Sequence, residues 1–318
     1  QVHEADKPAG RAGGGNCRAL LYLGRSQRGQ GAGLQPDATT RHRPSSEVRM
    51  IAMLSHRRFT QIVLGLTIVG AVAWTQTPGN IFTAVLGETG QRTAEVSTEE
   101  LRGILAENRA VVLDARPHLE FAISHIPGAL SVAARPGVPM SMYVSDVAEV
   151  GRLVRGDKRR PIVLYCNGPH CGKSKRLAEE LLGSDYTNVR RYQLGIPVWR
   201  ALGGVTEIEL DGLRYVLAND RTAVVIDVRE AAAYHAGTLG SARHLPRSGV
   251  LEGKDVGEVR RAKDDGRLPM EDHNTRIIVI GQSVDDARFV AEALTREAFH
   301  NVAYFTGTFE QALAALQP

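Results

Sequence analysis

Short apolar runs alternate with stretches of helical spacing from about residue 94 onward. Ala110 to Asp114, Ile162 to Tyr165 and Val189 to Tyr192 read as buried strands, and Gly128 to Val132 as a shorter one. Ser97-Thr98-Glu99-Glu100 precedes Leu101, Ile104 and Leu105, which predicts a helix with Ser97 as N-cap and Glu100 three residues on. Lys173 to Leu182 predicts a second helix. Continuous apolar strands separated by helices belong to a mainly parallel, helix-covered sheet, an α/β fold. In such sheets ligands bind beyond the carboxyl ends of the strands.

The pattern occurs twice. Val111-Val112-Leu113-Asp114-Ala115-Arg116 returns as Val224-Val225-Ile226-Asp227-Val228-Arg229, an offset of 113 residues that Phe121 and Tyr234 repeat. His125-Ile126-Pro127-Gly128-Ala129 aligns with Thr238-Leu239-Gly240-Ser241-Ala242, and Asn188-Val189 with Asn301-Val302. A period this long is a duplicated domain rather than a solenoid, each copy being an ordinary small domain in size. The first copy spans 94–203 and the second 204–318. Residues 76–93, with Pro78, Gly79, Gly87 and Gly90, read as a linker, and Leu194 to Glu207 as a second connection whose Trp199 packs between domains or over the sheet. The charged stretch Gly249 to Asp272 reads as an exposed loop with helical pieces.

The chemistry sits where the apolar run Ile162–Tyr165 meets Cys166. Asn167, Gly168, Pro169, His170, Cys171 and Gly172 follow before Lys173 and Ser174 open the helix. A thiol at that place faces backbone N–H groups and the positive end of a helix dipole, which favour its thiolate. Lys173 and Arg176 either guide an anionic substrate or line a solvated helix face. His170 either assists proton transfer or points to water.

Together the Asp-x-Arg after a strand, the aromatic residue five positions on, His125-Ile126-Pro127-Gly128-Ala129 and the strand-Cys-loop-helix resemble the rhodanese family. The resemblance covers roughly 94–203 and 204–318. It implies a five-stranded parallel sheet between helices in each copy, and sulfur transfer from thiosulfate or a persulfide donor to a thiol or cyanide through a persulfide on Cys166. It also implies that Asp114 and Arg116 tie the active loop and shape its entrance; on the residues alone they are equally a turn cap and a surface ion pair. His125 reads as a structural histidine.

This chain departs from the family pattern in two places. In the second copy Gly281 stands where the nucleophile would be, with Asp285 and Asp286 close behind, so that copy reads as catalytically dead and as a structural or partner-binding domain. In the first copy the loop is two residues longer than its counterpart and lacks the closing arginine, with Lys173 the nearest cation. It resembles the Tyr-Cys-x-Gly-Pro-x-Cys variant of some bacterial rhodanese-like domains. Cys171 adds alternatives: a loop disulfide with Cys166, or a soft-metal site with His170. No resident metal or cofactor is expected otherwise; the partners are a small anionic sulfur donor and a thiol acceptor.

Residues 1–49 hold eight Gly and eight Lys+Arg against four Asp+Glu, and read as disordered or as sequence upstream of a start at Met50 or Met53. Their excess charge accounts for the chain's net +4, so the high pI of 9.1 carries no expectation of nucleic-acid binding. Residues 50–79 read as a signal peptide or membrane anchor. His56-Arg57-Arg58 precede an apolar stretch of 13 residues, Ile62 to Trp74, which is short against the roughly 20 needed to span a bilayer. The expected location is therefore exported, periplasmic or anchored by residues 62–74, with export machinery or membrane as the partner of this segment.

Overall fold

The computed structural model describes residues 79–133 and 146–316. In the first copy the elements are β1 (Ala94–Glu95), α1 (Thr98–Ala106), β2 (Val111–Asp114), α2 (His118–Ile123), β3 (Leu130–Ser131), α3 (Val147–Leu153), β4 (Ile162–Tyr165), α4 (Lys173–Gly183), β5 (Val189–Tyr192) and α5 (Gly195–Ala201). The five strands form one parallel sheet in the order β1-β5-β4-β2-β3. Ser97 caps α1 by accepting the Glu100 N–H, as its sequence predicts.

Alternation along the strands divides the core into two layers. Leu113, Ile162, Leu164 and Val189 face Val150 of α3 and Leu177 and Leu181 of α4. Val112, Val163, Tyr165 and Tyr192 face Leu101 and Ile104 of α1 and Ile196 and Trp199 of α5. Each such aliphatic side chain contributes about 1.5–3 kcal/mol by leaving water. Central β4 is buried along its whole length, so its carboxyl end is enclosed.

The second copy repeats the arrangement with β6 (Thr206–Ile208), α6 (Leu210–Asn219), β7 (Val224–Asp227), α7 (Ala231–Ala236), β8 (Arg243–His244), α8 (Gly257–Asp264), β9 (Ile277–Ile280), α9 (Val284–Arg296), β10 (Val302–Phe305) and α10 (Phe309–Leu316). Its parallel sheet runs β6-β10-β9-β7-β8, the same order element for element. The registers also coincide. Asp114 lies opposite Tyr165 and Asp227 opposite Ile280, which places Gly281 at the position of Cys166.

The copies meet through α2 and α6. A Cβ on Gly212 would overlap the Ala122 carbonyl, so the helix approach requires glycine there. His125 and Glu207 form an antiparallel bridge, with N–H···O distances of 3.0 and 2.9 Å, and the His125 Nε2 lies 2.9 Å from Glu207 Oε2. Tyr304 donates to the other Glu207 oxygen at 2.6 Å. Burial works against the Glu207 carboxylate, and the His125 and Tyr304 hydrogen bonds outweigh it, so its pKa is lowered.

Three expected connections are more structured than their composition suggests. Residues 79–93 pack against the first copy: Phe82 O accepts from Glu99 N at 2.9 Å, and the Glu95 carboxylate accepts the N–H groups of Leu86 and Glu88. The connection from Leu194 carries helix α5, whose Trp199 is buried in the first copy's core and donates to Val205 O. The Gly249–Asp272 stretch buries Val250, Val259, Ala262 and Leu268 in the second core; it also buries Glu258, which pairs with Arg261 and Arg267. Among the described residues no helix is long and apolar enough to cross a membrane. The expected anchor at 62–74, with the rest of 1–78, lies outside the described residues.

Candidate active site

Chain direction and burial place the thiol. Cys166 follows β4 directly and is 2 % exposed. Its carbonyl accepts Ile196 N–H at 3.1 Å, which pins the loop start to the β5–α5 turn. That turn is Gly195, at φ +66°, where a Cβ would overlap Cys166 O and Gly168 N. Only glycine permits so close an approach at that backbone angle. At the far side, Asn167 donates to Glu120 of α2 at 2.5 Å.

Helix α4 starts at Lys173 with no side-chain cap on Gly172, so its first N–H groups remain for the loop. They are directed at sulfur. The Ser174 amide faces Cys166, and the Asn167 and Lys173 amides face Cys171. Cys166 Sγ also lies 3.4 Å from Ser174 Oγ and donates to Cys171 O at 3.0 Å. Both cysteines are free thiols.

The two thiols divide the proton unequally. The hydrogen bond to Cys171, followed by burial, pushes Cys166 up. The hydrogen bond from Cys166, aided by the Lys173 and Asn167 amides, holds Cys171 down at about 5. The loop amides are directed at both sulfurs, with the Cys166 thiol pushed up and the half-buried Cys171 held down.

The other expected site residues fall into two groups. Pro169 and His170 are exposed on the loop, Lys173 is half-buried, and Arg176 is exposed with Glu180 at 3.6 Å. Asp114 and Arg116 instead form a buried bidentate pair, with contacts of 2.5–3.0 Å, and Arg116 also holds Ser124 O. Burial opposes the Arg116 charge and the Asp114 carboxylate more than offsets it, so its pKa is raised. Asp227, Arg229 and Gly237 O reproduce this arrangement in the second copy. The pair therefore braces the strand-end turn rather than the cysteine loop. His125 stacks on Phe121 and bridges the copies. Among the described residues no three His, Cys, Asp or Glu gather as a metal site.

Sequence reasoning missed Arg191 of β5. It is 5 % exposed, points Nη2 at Ser174 Oγ at 3.5 Å, and its Nε has no hydrogen-bond partner. The available signal was the doublet Arg190-Arg191 inside a strand pattern, where a buried charge demands a reason.

A model for the rhodanese-like domain matches residues 97–202 and 215–315. The chain belongs to the rhodanese-like family. It is a tandem member, with a cysteine at the strand end of its first rhodanese-like domain and glycine in the second. Rhodanese membership points to sulfur transfer in general. The chain is similar to a thiosulfate sulfurtransferase from Pseudomonas aeruginosa, at 21% identity over 69% of this chain and 44% of that one, with a TM-score of 0.28. It is also similar to an anaerobic ergothioneine biosynthesis enzyme from Chlorobium limicola, at 14% identity over 70% and 61%, TM-score 0.31. A third likeness is the BH2092 protein from Bacillus halodurans, at 23% identity over 36% and 77%, TM-score 0.30. The chain thus spans less than two thirds of the first two solved chains. No curated protein matches it.

Proposed function

We propose that the first domain is a sulfurtransferase that carries sulfane sulfur as a persulfide on Cys166. The observation that supports it most is the thiol pair at the uncapped start of α4, with loop amides directed at both sulfurs. Cys166 attacks the sulfane sulfur of thiosulfate or a related anionic donor. Cys166 reacts as its thiolate after losing its proton to solvent, the donor's S–S bond breaks, and sulfite leaves with that bond's electron pair. The Cys166 persulfide anion then rests against the loop amides. An acceptor thiol or cyanide takes the outer sulfur, and Cys166 departs as the thiolate that recovers the proton.

In this reading the second domain is inactive, and braces the first or binds a protein partner. Ser283 caps α9 by accepting Asp286 N–H, and Asp285 and Asp286 lie in its first turn, so the anion place is filled. The chain acts outside the cytoplasm, exported or anchored through residues 62–74; the basic and apolar order of that segment supports this.

Thiocyanate formation from thiosulfate and cyanide tests the reading. Activity that vanishes in Cys166→Ser supports it, and activity unchanged by that substitution removes it. Two free thiols on one loop, with Cys166 Sγ 3.0 Å from Cys171 O, favour one second reading, a thiol-redox protein cycling a Cys166–Cys171 disulfide. Equal dependence on both cysteines in a disulfide-exchange assay, without thiocyanate formation, selects it.

A further inference from the structure

The active loop has a fixed cation that it does not itself carry, and an acidic residue from outside the fold's core sits on that cation. Arg191 reaches Ser174 Oγ, and Ser174 Oγ in turn reaches Cys166 Sγ, at 3.5 and 3.4 Å. On its other side Arg191 Nη1 is 3.8 Å from Glu88 Oε2, while Glu88 Oε1 is 3.0 Å from Lys175 Nζ. One carboxylate therefore bridges a buried guanidinium and a helix α4 ammonium beside the reacting sulfur.

Glu88 is brought there by the segment before β1. The Glu95 carboxylate takes Leu86 N–H at 2.7 Å, Glu88 N–H at 3.1 Å and Gln91 Nε2 at 2.5 Å. Phe82 lies under the Arg102 guanidinium at 5.1 Å. The backbone of the strap is thus tied, whereas the Glu88 side chain is partly exposed and held only by two cations. The pair with Lys175 is exposed on both sides, and such pairs are worth little and exchange readily. Arg191 is the costly partner: it is buried, and its Nε–H is left without an acceptor.

The second copy lacks this arrangement along with the cysteine. The registers put Glu95 opposite Arg191 and Glu207 opposite Tyr304, so tyrosine occupies the place of Arg191 there, and its hydroxyl is bound to Glu207. Thiol and cation are present together in one copy and absent together in the other.

From this geometry we infer an anion-binding place between Arg191, Lys175 and Ser174 that receives the oxyanion end of the sulfur donor, with the Glu88 carboxylate as its tethered resting occupant. The inference rests on Cys166 being the reacting thiol. A sulfur oxyanion entering the place displaces Glu88 and lies beside Ser174, whose Oγ is 3.4 Å from Cys166 Sγ. The fork of Arg191 suits sulfonate oxygens as it suits carboxylate.

The test compares alkylation of Cys166 by anionic iodoacetate and neutral iodoacetamide in the full reduced chain, read at Cys166 by peptide mass spectrometry. Their rate ratio reports local charge and needs no sulfur transfer. Glu88→Gln should raise the ratio about two- to fivefold, and sulfite should slow iodoacetate more strongly than in the wild type. Arg191→Gln should lower the ratio by a similar factor, and Arg191→Lys should keep it near the wild-type value. If Arg191→Gln does not fold, Glu88→Gln and the lysine variant still decide. An unchanged ratio in Glu88→Gln, with no protection by sulfite, overturns the inference. Ratio shifts as stated without persulfide formation from thiosulfate would keep the anion place and remove the sulfurtransferase reading instead.

Discussion

At the carboxyl end of the central strand the first copy carries Cys166 and the second Gly281, although Tyr165 and Ile280 hold the same register against Asp114 and Asp227. The bracing beneath is the same in both: an aspartate–arginine pair closed on a backbone carbonyl eight residues past the arginine. What differs is the layer above. The first copy leaves the start of α4 uncapped and turns its amides to two thiols, whereas the second closes α9 with Ser283. The fold's framework and its chemistry are therefore separable, and the duplication shows which residues belong to each. Glu95 and Glu207 make the same point at the sheet edge. They occupy equivalent positions, yet one ties the strap that carries Glu88 and the other clasps His125 of the neighbouring domain.

The largest expected effect breaks the shared part. Asp114→Asn and Asp227→Asn each leave a buried arginine without its counter-ion, and each should cost about 3–5 kcal/mol in denaturant unfolding. Similar losses in the two copies uphold a bracing role. A folded Asp114→Asn protein that has lost only persulfide formation would instead give Asp114 the loop-tying role implied by the family resemblance. A smaller effect separates the two thiols. Cys171→Ser removes the neighbour that pushes the Cys166 thiol up, so stopped-flow persulfide formation near neutral pH should be retained and quicken by roughly tenfold. An unchanged rate would return Cys171 to a bystander.

Transplanting the nucleophile sharpens the comparison further. In a Cys166→Ser background, Gly281→Cys puts a Cβ 2.9 Å from Ser283 O and 3.0 Å from Val228 Cγ2. It should cost about 1–3 kcal/mol through crowding and gain no sulfur from thiosulfate. Sulfur uptake there would show that the second copy lacks only its cysteine. The smallest effect is a pH profile. Iodoacetamide labelling of Cys171 should rise with a midpoint near 5, against about 8.5 for an unfolded thiol, while Cys166 labels only at higher pH. Because the folded pKa is the lower one, the stability tied to the Cys171 thiolate is complete above the unfolded value and is lost as pH falls through about 5. A Cys171 midpoint near the unfolded value would contradict the division of charge within the loop.

The sequence carried the fold because its signals are local. Strand β4 ends where its apolar run ends, Ser97 caps the helix its own side chain predicts, and the period of 113 residues doubles every inference. Cys166 was equally legible from its place between strand and helix. The charge distribution was not, because the two thiols set each other's protonation, and that depends on a loop conformation no spacing specifies. Arg191 and Glu88 were hidden for a different reason. Glu88, Lys175 and Arg191 meet from three separate segments, and the glycines in 76–93 suggested a linker, where Glu95 in fact binds the backbone of a strap.

The central claim is that one sulfur atom resides on Cys166 of the first copy alone. Intact-protein mass spectrometry of the reduced full chain, before and after thiosulfate, tests it most directly. The account predicts a gain of one sulfur that cyanide removes, retained in Cys171→Ser and absent in Cys166→Ser. A gain that persists in Cys166→Ser, or no gain in any form while a Cys166–Cys171 disulfide readily forms, would contradict it.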